Sequence, residues 1–199
     1  PFKSPIQPLE GVAVTIVPTH HGVPSCGYHF ETTRKLGKFN LALAESLGLS
    51  KHQIGDLAEG QDLTHEGVLL SAKDFRGEPR PSCSLMVSGD TAFGPMGFSA
   101  ERLPSPPQLL LHEATFLADK QDKATEYFHS TAADAARHAT NCKASALALT
   151  HYSSRLERLS PSVDEAREYF SGPVSATMDG DWFEINSDGM IHHVRAETG

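Results

Sequence analysis

The chain has 199 residues, of which 39% are hydrophobic and 21% are charged, and its formal net charge is −8. This length is enough for one domain with its own core, so we expect residues 1–199 to form a single domain. The negative charge excludes a generally basic surface, so binding of nucleic acid would need a local patch or metal ions. No apolar run approaches the roughly 18 residues of a membrane span, so we expect no membrane partner.

The three cysteines, Cys26, Cys83 and Cys142, are widely spaced and form no C-x-x-C pair. This spacing supports neither a structural zinc site nor a disulfide framework. We therefore expect a reducing compartment, which is the cytoplasm or, in a eukaryote, also the nucleus or mitochondrion.

The first 81 residues predict two strands, a helix and an irregular segment. The β-branched run at residues 12–17 and the segment 27–32 are typical of strands. Residues 41–49 have helical spacing and end at Gly48. Residues 50–81 are polar and broken by Gly and Pro, which predicts an irregular excursion with one short strand near Val68–Leu70.

The second part of the chain predicts an alternation of strands and helices. Strands are expected at residues 84–88, 108–111 and 144–149. Helices are expected at residues 132–141, with Thr131 as N-cap and Asp134 three residues later, and at residues 163–170. The segment 174–194 predicts a final pair of strands. This alternation of elements favours an α/β architecture.

Polar, chemically versatile residues follow the apolar strands at the point where each strand ends. They are His20, His21, Asp90, His112, Glu113 and His151. In open α/β sheets the binding sites gather at the carboxyl ends of the strands. Each of these residues also has a purely structural interpretation, as a turn cap or as a hydrogen-bonded histidine, but their co-occurrence favours a common site.

Two further groups could handle phosphate and protons. His129 precedes Ser130, Thr131 and a predicted helix start, where free N–H groups favour an anion and where a histidine could protonate a leaving oxygen. Arg155 follows the strand that ends at His151 and could hold a phosphate with two hydrogen bonds. Ser130 and Thr131 could equally be plain helix caps.

Six segments, read in order, resemble the ribonuclease Z (tRNase Z) family of phosphodiesterases. They are HGVPSCGY, SGDT, LLLHEATF, HSTAADAA, LTHYSSR and MDGDWFEI, spread over almost the whole chain. The resemblance implies an α/β protein with the metallo-β-lactamase fold, an αββα sandwich. It also implies that this chain is the C-terminal portion of that fold.

The resemblance assigns a role to nine residues. The metal ligands it implies are His21, Asp90 and His151, with Asp90 bridging two ions. The catalytic pair it implies is Glu113 and His129, in which the carboxylate orients the imidazole that assists departure of the 3′-oxygen. The groups it implies near the substrate phosphates are Ser130, Thr131, Ser153 and Arg155.

The reaction implied by the resemblance is endonucleolytic removal of the 3′ trailer from precursor tRNA. In that reaction two Zn²⁺ ions supply a hydroxide that attacks phosphorus. Two divalent cations would also offset the negative charge of the chain locally. Members of the family commonly dimerise, which makes a homodimer a further expectation.

The sequence departs from the family in three places. The H-x-H-x-D-H motif, which supplies most zinc ligands in the family, is absent from the 199 residues. We therefore expect the N-terminal half of the fold to be missing, and this chain alone to bind little or no metal and to be inactive. The segment 36–81 corresponds to the tRNA-gripping arm but lacks its Gly-Pro element, and Leu156 replaces a usual aromatic residue.

Two alternative functions remain open at this stage. One is a different hydrolase of the metallo-β-lactamase fold that acts on small esters or phosphodiesters. The other is a degenerate, non-catalytic half that serves as a binding module. Of the two adjacent histidines, we expect His21 to be the ligand and His20 to point away from the metal, because neighbours in an extended chain face opposite sides.

Overall fold

The computed structural model describes residues 10–33, 36–94, 98–186 and 188–196. These residues divide into two compact units. The first comprises the chain up to Thr33 and from Cys83 onward, and the second comprises residues 34–82. Among the described residues, no helix combines the length and the apolar character needed to cross a membrane.

The elements are named in chain order. The strands are β1 (Val12–Pro18), β2 (Cys26–Thr32), β3 (Leu63–His65), β4 (Val68–Leu70), β5 (Ser84–Val87), β6 (Leu109–Glu113), β7 (Ala146–Thr150), β8 (Val174–Ala176), β9 (Trp182–Ile185) and β10 (Ile191–Val194). The α-helices are α1 (Leu41–Ser46), α2 (Lys51–Ala58), α3 (Gln121–Tyr127), α4 (Ala132–Asn141) and α5 (Ser160–Arg167).

The first unit is built on a six-stranded mixed sheet in the order β1-β2-β5-β6-β7-β8. Strands β1, β2 and β5 pair antiparallel. Strands β5 to β8 pair parallel, so their carboxyl ends lie along one edge. The expected α/β architecture is therefore confirmed, and the parallel half of the sheet gathers the strand ends that the sequence singled out.

The strands and helices of the first unit lie close to their predicted positions. Helix α4 spans the predicted residues, and Thr131 and Asp134 form the expected reciprocal cap. Helix α5 begins three residues earlier than predicted, with Pro161 in its first turn, a position that suits proline. The final segment differs in part: β8 joins the central sheet, while β9 and β10 pair with each other.

The two faces of the central sheet are covered differently. Leu110, Leu147 and Leu149 pack on one face in the cluster that includes the alanines of α4 and α5. Their neighbours in the strands point to the opposite face, as the period of two requires. There Leu109 packs with Phe183 and other side chains of the β9–β10 hairpin. Small alanines on α4 allow this helix to approach the sheet closely.

In the second unit, α1 lies within the predicted helix and β4 coincides with the predicted short strand, while the rest of residues 50–81 contains α2 and β3, which were not predicted. Ser50 caps α2 through a reciprocal bond with Gln53, which is a recognised helix-start pattern that the polar composition concealed. Strands β3 and β4 form a hairpin whose turn, Glu66-Gly67, has φ values of 51° and 80°. Two positive φ angles are typical of a type I′ turn, normally signalled by Asn-Gly or Asp-Gly. A small core including Leu57 and Phe75 fills this unit.

A pair of buried histidines lies between β6 and α4. His112 donates from Nδ1 to the carbonyl of Glu113 at 2.7 Å, so its Nε2 accepts from Nδ1 of His138 at 2.8 Å. Burial lowers the pKa of both imidazoles, and that of His138 falls well below 6.5. Both histidines are therefore neutral in the folded protein near neutral pH.

This pair makes stability depend on pH. The folded protein binds protons on these histidines less readily than the unfolded chain, so their contribution is complete above a pH of about 6.5 and is lost as the pH falls. We expect the melting temperature to fall as pH is lowered from about 7.5 to 5. In His138→Gln, an amide N–H can still reach His112 but cannot titrate, so the fall should be smaller. Equal pH profiles of thermal unfolding for both proteins would contradict this assignment.

Candidate metal centre

Five segments bring polar side chains to the carboxyl edge of the parallel strands. Glu113 is the last residue of β6, and His151 directly follows β7. Asp90 lies in the loop after β5, His129 lies between α3 and α4, and His21 lies in the loop after β1. These are the five residues that the resemblance assigned to metal binding and catalysis, and the fold places all of them in one region.

Glu113 is the buried centre of this region, with only 1% of its surface exposed. Its Oε1 accepts from the backbone N–H of Thr91 at 2.8 Å and from His129 Nδ1 at 2.9 Å. Its Oε2 accepts from the hydroxyl of Thr115 at 2.6 Å and from the backbone N–H of Ser130 at 3.1 Å. Each oxygen thus has two donors, and the carboxylate keeps no free site for a metal ion.

The bonds to Glu113 determine which nitrogen carries the proton on two histidines. A carboxylate only accepts hydrogen bonds, so the proton of His129 is on Nδ1. Thr115 has one hydroxyl proton, and the 2.6 Å bond to the Glu113 carboxylate is shorter than the 3.1 Å approach to the His151 carbonyl, so we assign the proton to Glu113 and let Thr115 accept from Nδ1 of His151 at 2.9 Å. Both histidines therefore keep a lone pair on Nε2, which is the form that binds a metal.

His21 is fixed in the same way by the backbone. Its Nδ1 lies 2.8 Å from the carbonyl oxygen of Phe128, which can only accept a hydrogen bond. In the neutral imidazole of His21 the lone pair is therefore also on Nε2. Three histidines from three separate loops thus share one tautomer, each with Nδ1 engaged inside the protein.

Ligand atoms of different residues lie close together in this region. His21, Asp90 and His129 each place one such atom within 4.8 Å of the others. His151 Nε2 lies 3.7 Å from Asp90 Oδ1. Imidazole and carboxylate are the donors that zinc uses, and histidines held through their second nitrogen are usual around it. The donor set therefore fits a divalent transition metal.

The backbone at the site requires special conformations. Gly89, directly before Asp90, has a φ of 61°, and a Cβ there would lie 2.7 Å from the carbonyl oxygen of Cys26. Only glycine fits at that point. His151 adopts a φ of 54° without being glycine. Such strain persists only where surrounding contacts hold it, and it is common at functional sites.

Ser130 and Thr131, which the resemblance places near the substrate phosphates, have hydroxyls that form hydrogen bonds within the protein. Both are fully buried. The Ser130 hydroxyl donates to the carbonyl of Thr91 at 2.6 Å, and the Thr131 hydroxyl accepts from the backbone of Asp134 at 3.1 Å. The two hydroxyls thus engage the loop after β5 and the cap of α4, and the contact with substrate phosphates that the resemblance implies stays a prediction.

Ser153 and Arg155 line a cavity of about 250 Å³ beside Thr115. Lys120 and Lys123 of the segment before α4 line the same cavity. Asp119, the acid in its lining, pairs with Lys120 at 2.7 Å. The cavity, which we call the cationic cleft, therefore offers an excess of positive charge next to the candidate metal ligands.

Sequence reasoning missed three contributors to this region. Thr115 lies in the segment LLLHEATF, and its hydroxyl close to the end of a strand could have identified it as part of the site. Lys120 and Lys123 could be recognised only once the fold placed them beside Arg155. His112 was grouped with the site, yet it points to the opposite face of β6 and meets His138. His20 is exposed and belongs to neither of the two clusters of possible metal ligands found among the described residues, which are His21–Asp90–His129 and Glu113–His129–His151.

Comparison with known proteins gives consistent results. The chain is 39% identical to Ribonuclease Z of Myxococcus xanthus over 184 residues, which are 90% of this chain and 59% of that protein. It is 36% identical to Ribonuclease Z of Halobacterium salinarum over 179 residues, 88% of this chain and 54% of that protein. The chain thus spans a little more than half the length of these relatives. No family model matches it.

Two solved structures share its fold. One is the metallo-β-lactamase fold protein YhfI from Bacillus subtilis, with a TM-score of 0.53, 16% identity, and coverage of 94% of this chain and 52% of the other. The second is a long form RNase Z from yeast, with a TM-score of 0.53, 17% identity, and coverage of 85% of this chain and 17% of the other. The chain has the metallo-β-lactamase fold, as the sequence resemblance implied.

The role of Thr115 can be tested by metal binding. In Thr115→Val the proton on His151 is no longer fixed, so we expect zinc affinity to fall about tenfold, the usual scale for losing such a partner. Thr125→Val, the same substitution on an exposed residue of α3, is the control. Competition with a coloured zinc chelator measures both. Equal affinities would show that Thr115 does not orient a ligand.

Proposed function

We propose that this chain, which is homologous to the ribonuclease Z proteins, carries the metal-binding edge of an endoribonuclease that removes the 3′ trailer from precursor tRNA. The observation that carries the proposal is the set of three histidines whose Nε2 lone pairs are left free beside Asp90. The cationic cleft next to them supplies a place for the phosphates of a polyanionic substrate.

The metal in this proposal is zinc, in two ions for the complete domain. His21, Asp90 and His151 would hold it, and a carboxylate can bridge two cations. When bound, zinc would polarise the phosphodiester and activate water near neutral pH. Three ligands shared by two ions leave each incompletely coordinated. We therefore propose that this chain alone binds zinc partially and is inactive without a segment that supplies further ligands.

His129 would carry the proton to the departing 3′-oxygen. Its Nδ1 is held by Glu113, which leaves Nε2 as the nitrogen that can exchange a proton, and its ring places a nitrogen within 4.8 Å of ligand atoms of His21 and Asp90. In the protonated state the neighbouring carboxylate would stabilise the imidazolium, and the Nε2 proton would be the one transferred. Glu113, already saturated by four donors, would stay in place throughout.

An experiment can distinguish a proton-transfer role of His129 from a role as metal ligand. In the longest natural polypeptide that contains this chain, His129→Gln should reduce the single-turnover cleavage rate by about a hundredfold or more, the usual scale for general acid catalysis. Zinc affinity should change little, because His21, Asp90 and His151 remain. A loss of zinc comparable to that of His151→Asn would instead make His129 a ligand.

We assign substrate binding to the cationic cleft, through Ser153 and Arg155. The Ser153 hydroxyl accepts from the backbone N–H of Arg155 at 3.3 Å, which fixes the loop. The guanidinium of Arg155 has no carboxylate ion-pair partner among the described residues. It is therefore available for a phosphate, which it can bind through two hydrogen bonds.

Arg155→Gln should weaken RNA binding at moderate salt and make the affinity less dependent on salt, because one phosphate contact releases about one counterion. Arg158→Gln, the same change three residues away and outside the cavity lining, is the control. Anisotropy titrations of a labelled RNA at several salt concentrations measure both slopes. Identical slopes for the two variants would remove Arg155 from the RNA contact.

A second candidate function is hydrolysis of a small phosphodiester by the same fold. One observation favours it: the unit of residues 34–82, which corresponds to the tRNA-gripping arm, contains seven Lys and Arg and seven Asp and Glu. An evenly charged arm would bind tRNA only weakly. We propose a homodimer and a reducing compartment under either candidate function.

One comparison separates the two candidates. The chain, and the longest natural polypeptide that contains it, are supplied with zinc and given a precursor tRNA or bis(p-nitrophenyl) phosphate. Our proposal expects specific cleavage of the precursor at the start of its trailer, lost in His151→Asn and retained in the exposed control His192→Asn. Hydrolysis of the small diester alone would favour the second candidate.

A further inference from the structure

Phe128 ends helix α3 in a conformation that is unusual for its residue type. Its φ and ψ are 59° and 42°, the left-handed region. Helices often end on such a residue, and it is usually glycine because a Cβ is strained there. A bulky aromatic at this position is an outlier, and an outlier of this kind calls for a reason.

The backbone role of Phe128 does not require its ring. Its carbonyl oxygen accepts the Nδ1 proton of His21 at 2.8 Å and so prepares that histidine for metal binding. Any residue in this conformation, glycine included, presents the same carbonyl. The aromatic side chain therefore needs a separate explanation.

The ring lies at the surface rather than in the core. Phe128 is 37% exposed and is absent from the buried clusters found among the described residues. Its edge meets the imidazole of His20 with the ring centroids 5.3 Å apart and an interplanar angle of 75°. Gly22 also lies close to the ring, because a Cβ added there would be 3.4 Å from it. We call Phe128 and His20 the aromatic rim.

The aromatic rim borders the candidate metal centre. Phe128 directly precedes His129, and His20 directly precedes His21, so each member adjoins a residue of the centre along the chain. A substrate phosphate at the centre would bring its flanking nucleotides close to the rim. Bases flanking a single-stranded phosphate are commonly held by stacking on aromatic rings, which tolerates any base because every base has a π face.

We propose that Phe128 stacks on a nucleobase next to the phosphate that is cleaved, and that His20 supports the ring from the side. This inference rests on the proposed function, because it takes the substrate to be RNA. It assigns to Phe128 a positioning role in substrate binding that is separate from the backbone role toward His21.

The test compares intact and abasic single-stranded RNA. Fluorescence anisotropy in the presence of zinc measures the binding of two oligonucleotide series, one with every base present and one with a single abasic position moved along the strand. The variants are Phe128→Leu, which keeps an apolar side chain in the same strained backbone but removes the π face, and Phe128→Trp, which keeps it. Trp182→Leu, a change at an exposed aromatic of β9, is the control.

Phe128→Leu should weaken binding of the intact RNA about tenfold, the usual scale for one stacked base, while Phe128→Trp and the control bind like the wild type. One abasic position should weaken the wild type by a similar factor, and at that position the leucine variant should show no further loss. Melting temperatures of Phe128→Leu and the wild type should be similar, since both have a Cβ at the strained position.

Three results would overturn the inference. Equal losses by Phe128→Leu on intact RNA and on every abasic RNA would show that the ring acts through the fold and not through a base. Unchanged binding by Phe128→Leu would show that the ring makes no contact, while the proposed function would stand. Failure of the wild type to bind any of these RNAs would contradict the proposed function itself and the inference with it.

Discussion

The buried carboxylate of Glu113 is the interaction on which the rest of the candidate site depends. A charged group removed from water is very costly unless every lone pair is matched by a donor. Here the donors come from the loop after β5, from Thr115, from His129 and from the start of α4. The fold must therefore hold these segments together, because loss of any one leaves a lone pair of the buried carboxylate without a donor.

The same carboxylate sets the chemistry of the histidines around it. Glu113 fixes the proton of His129 on Nδ1 directly, and it fixes that of His151 on Nδ1 through the hydroxyl of Thr115. In both rings Nε2 is left free. Phe128 does the same for His21 through its carbonyl. Orientation of metal-binding histidines thus follows from hydrogen bonds made inside the protein, and the ligands are prepared before an ion arrives. The strained backbone of His151 and Phe128 is consistent with positions held by such contacts.

The parts of the structure set by local patterns could be predicted from the sequence. The strand ends carrying Asp90, Glu113 and His151 follow from apolar runs, and α4 follows from its reciprocal cap. In the second unit α1 and β4 were predicted, whereas α2 and β3 were missed because the polar composition of residues 50–67 hides the cap of the helix and the Glu-Gly turn. The burial of Ser130 and Thr131 could not be predicted, since it depends on where the loop after β5 folds back. Phe128 was missed because nothing in its sequence signals a positive φ.

Determining the tautomers of the three histidines shows whether internal hydrogen bonds, above all those of Glu113, prepare the metal ligands. Long-range ¹H–¹⁵N NMR spectra of zinc-free protein labelled on histidine distinguish protonated from unprotonated ring nitrogens, with histidine substitutions used to assign His21, His129 and His151. In the neutral imidazoles we expect Nδ1–H and an unprotonated Nε2 for all three, and a shift of the Nε2 signals of His21 and His151 when zinc is added. A proton on Nε2 of His129 or His151 would contradict the account, because Glu113 could then not organise the site as described.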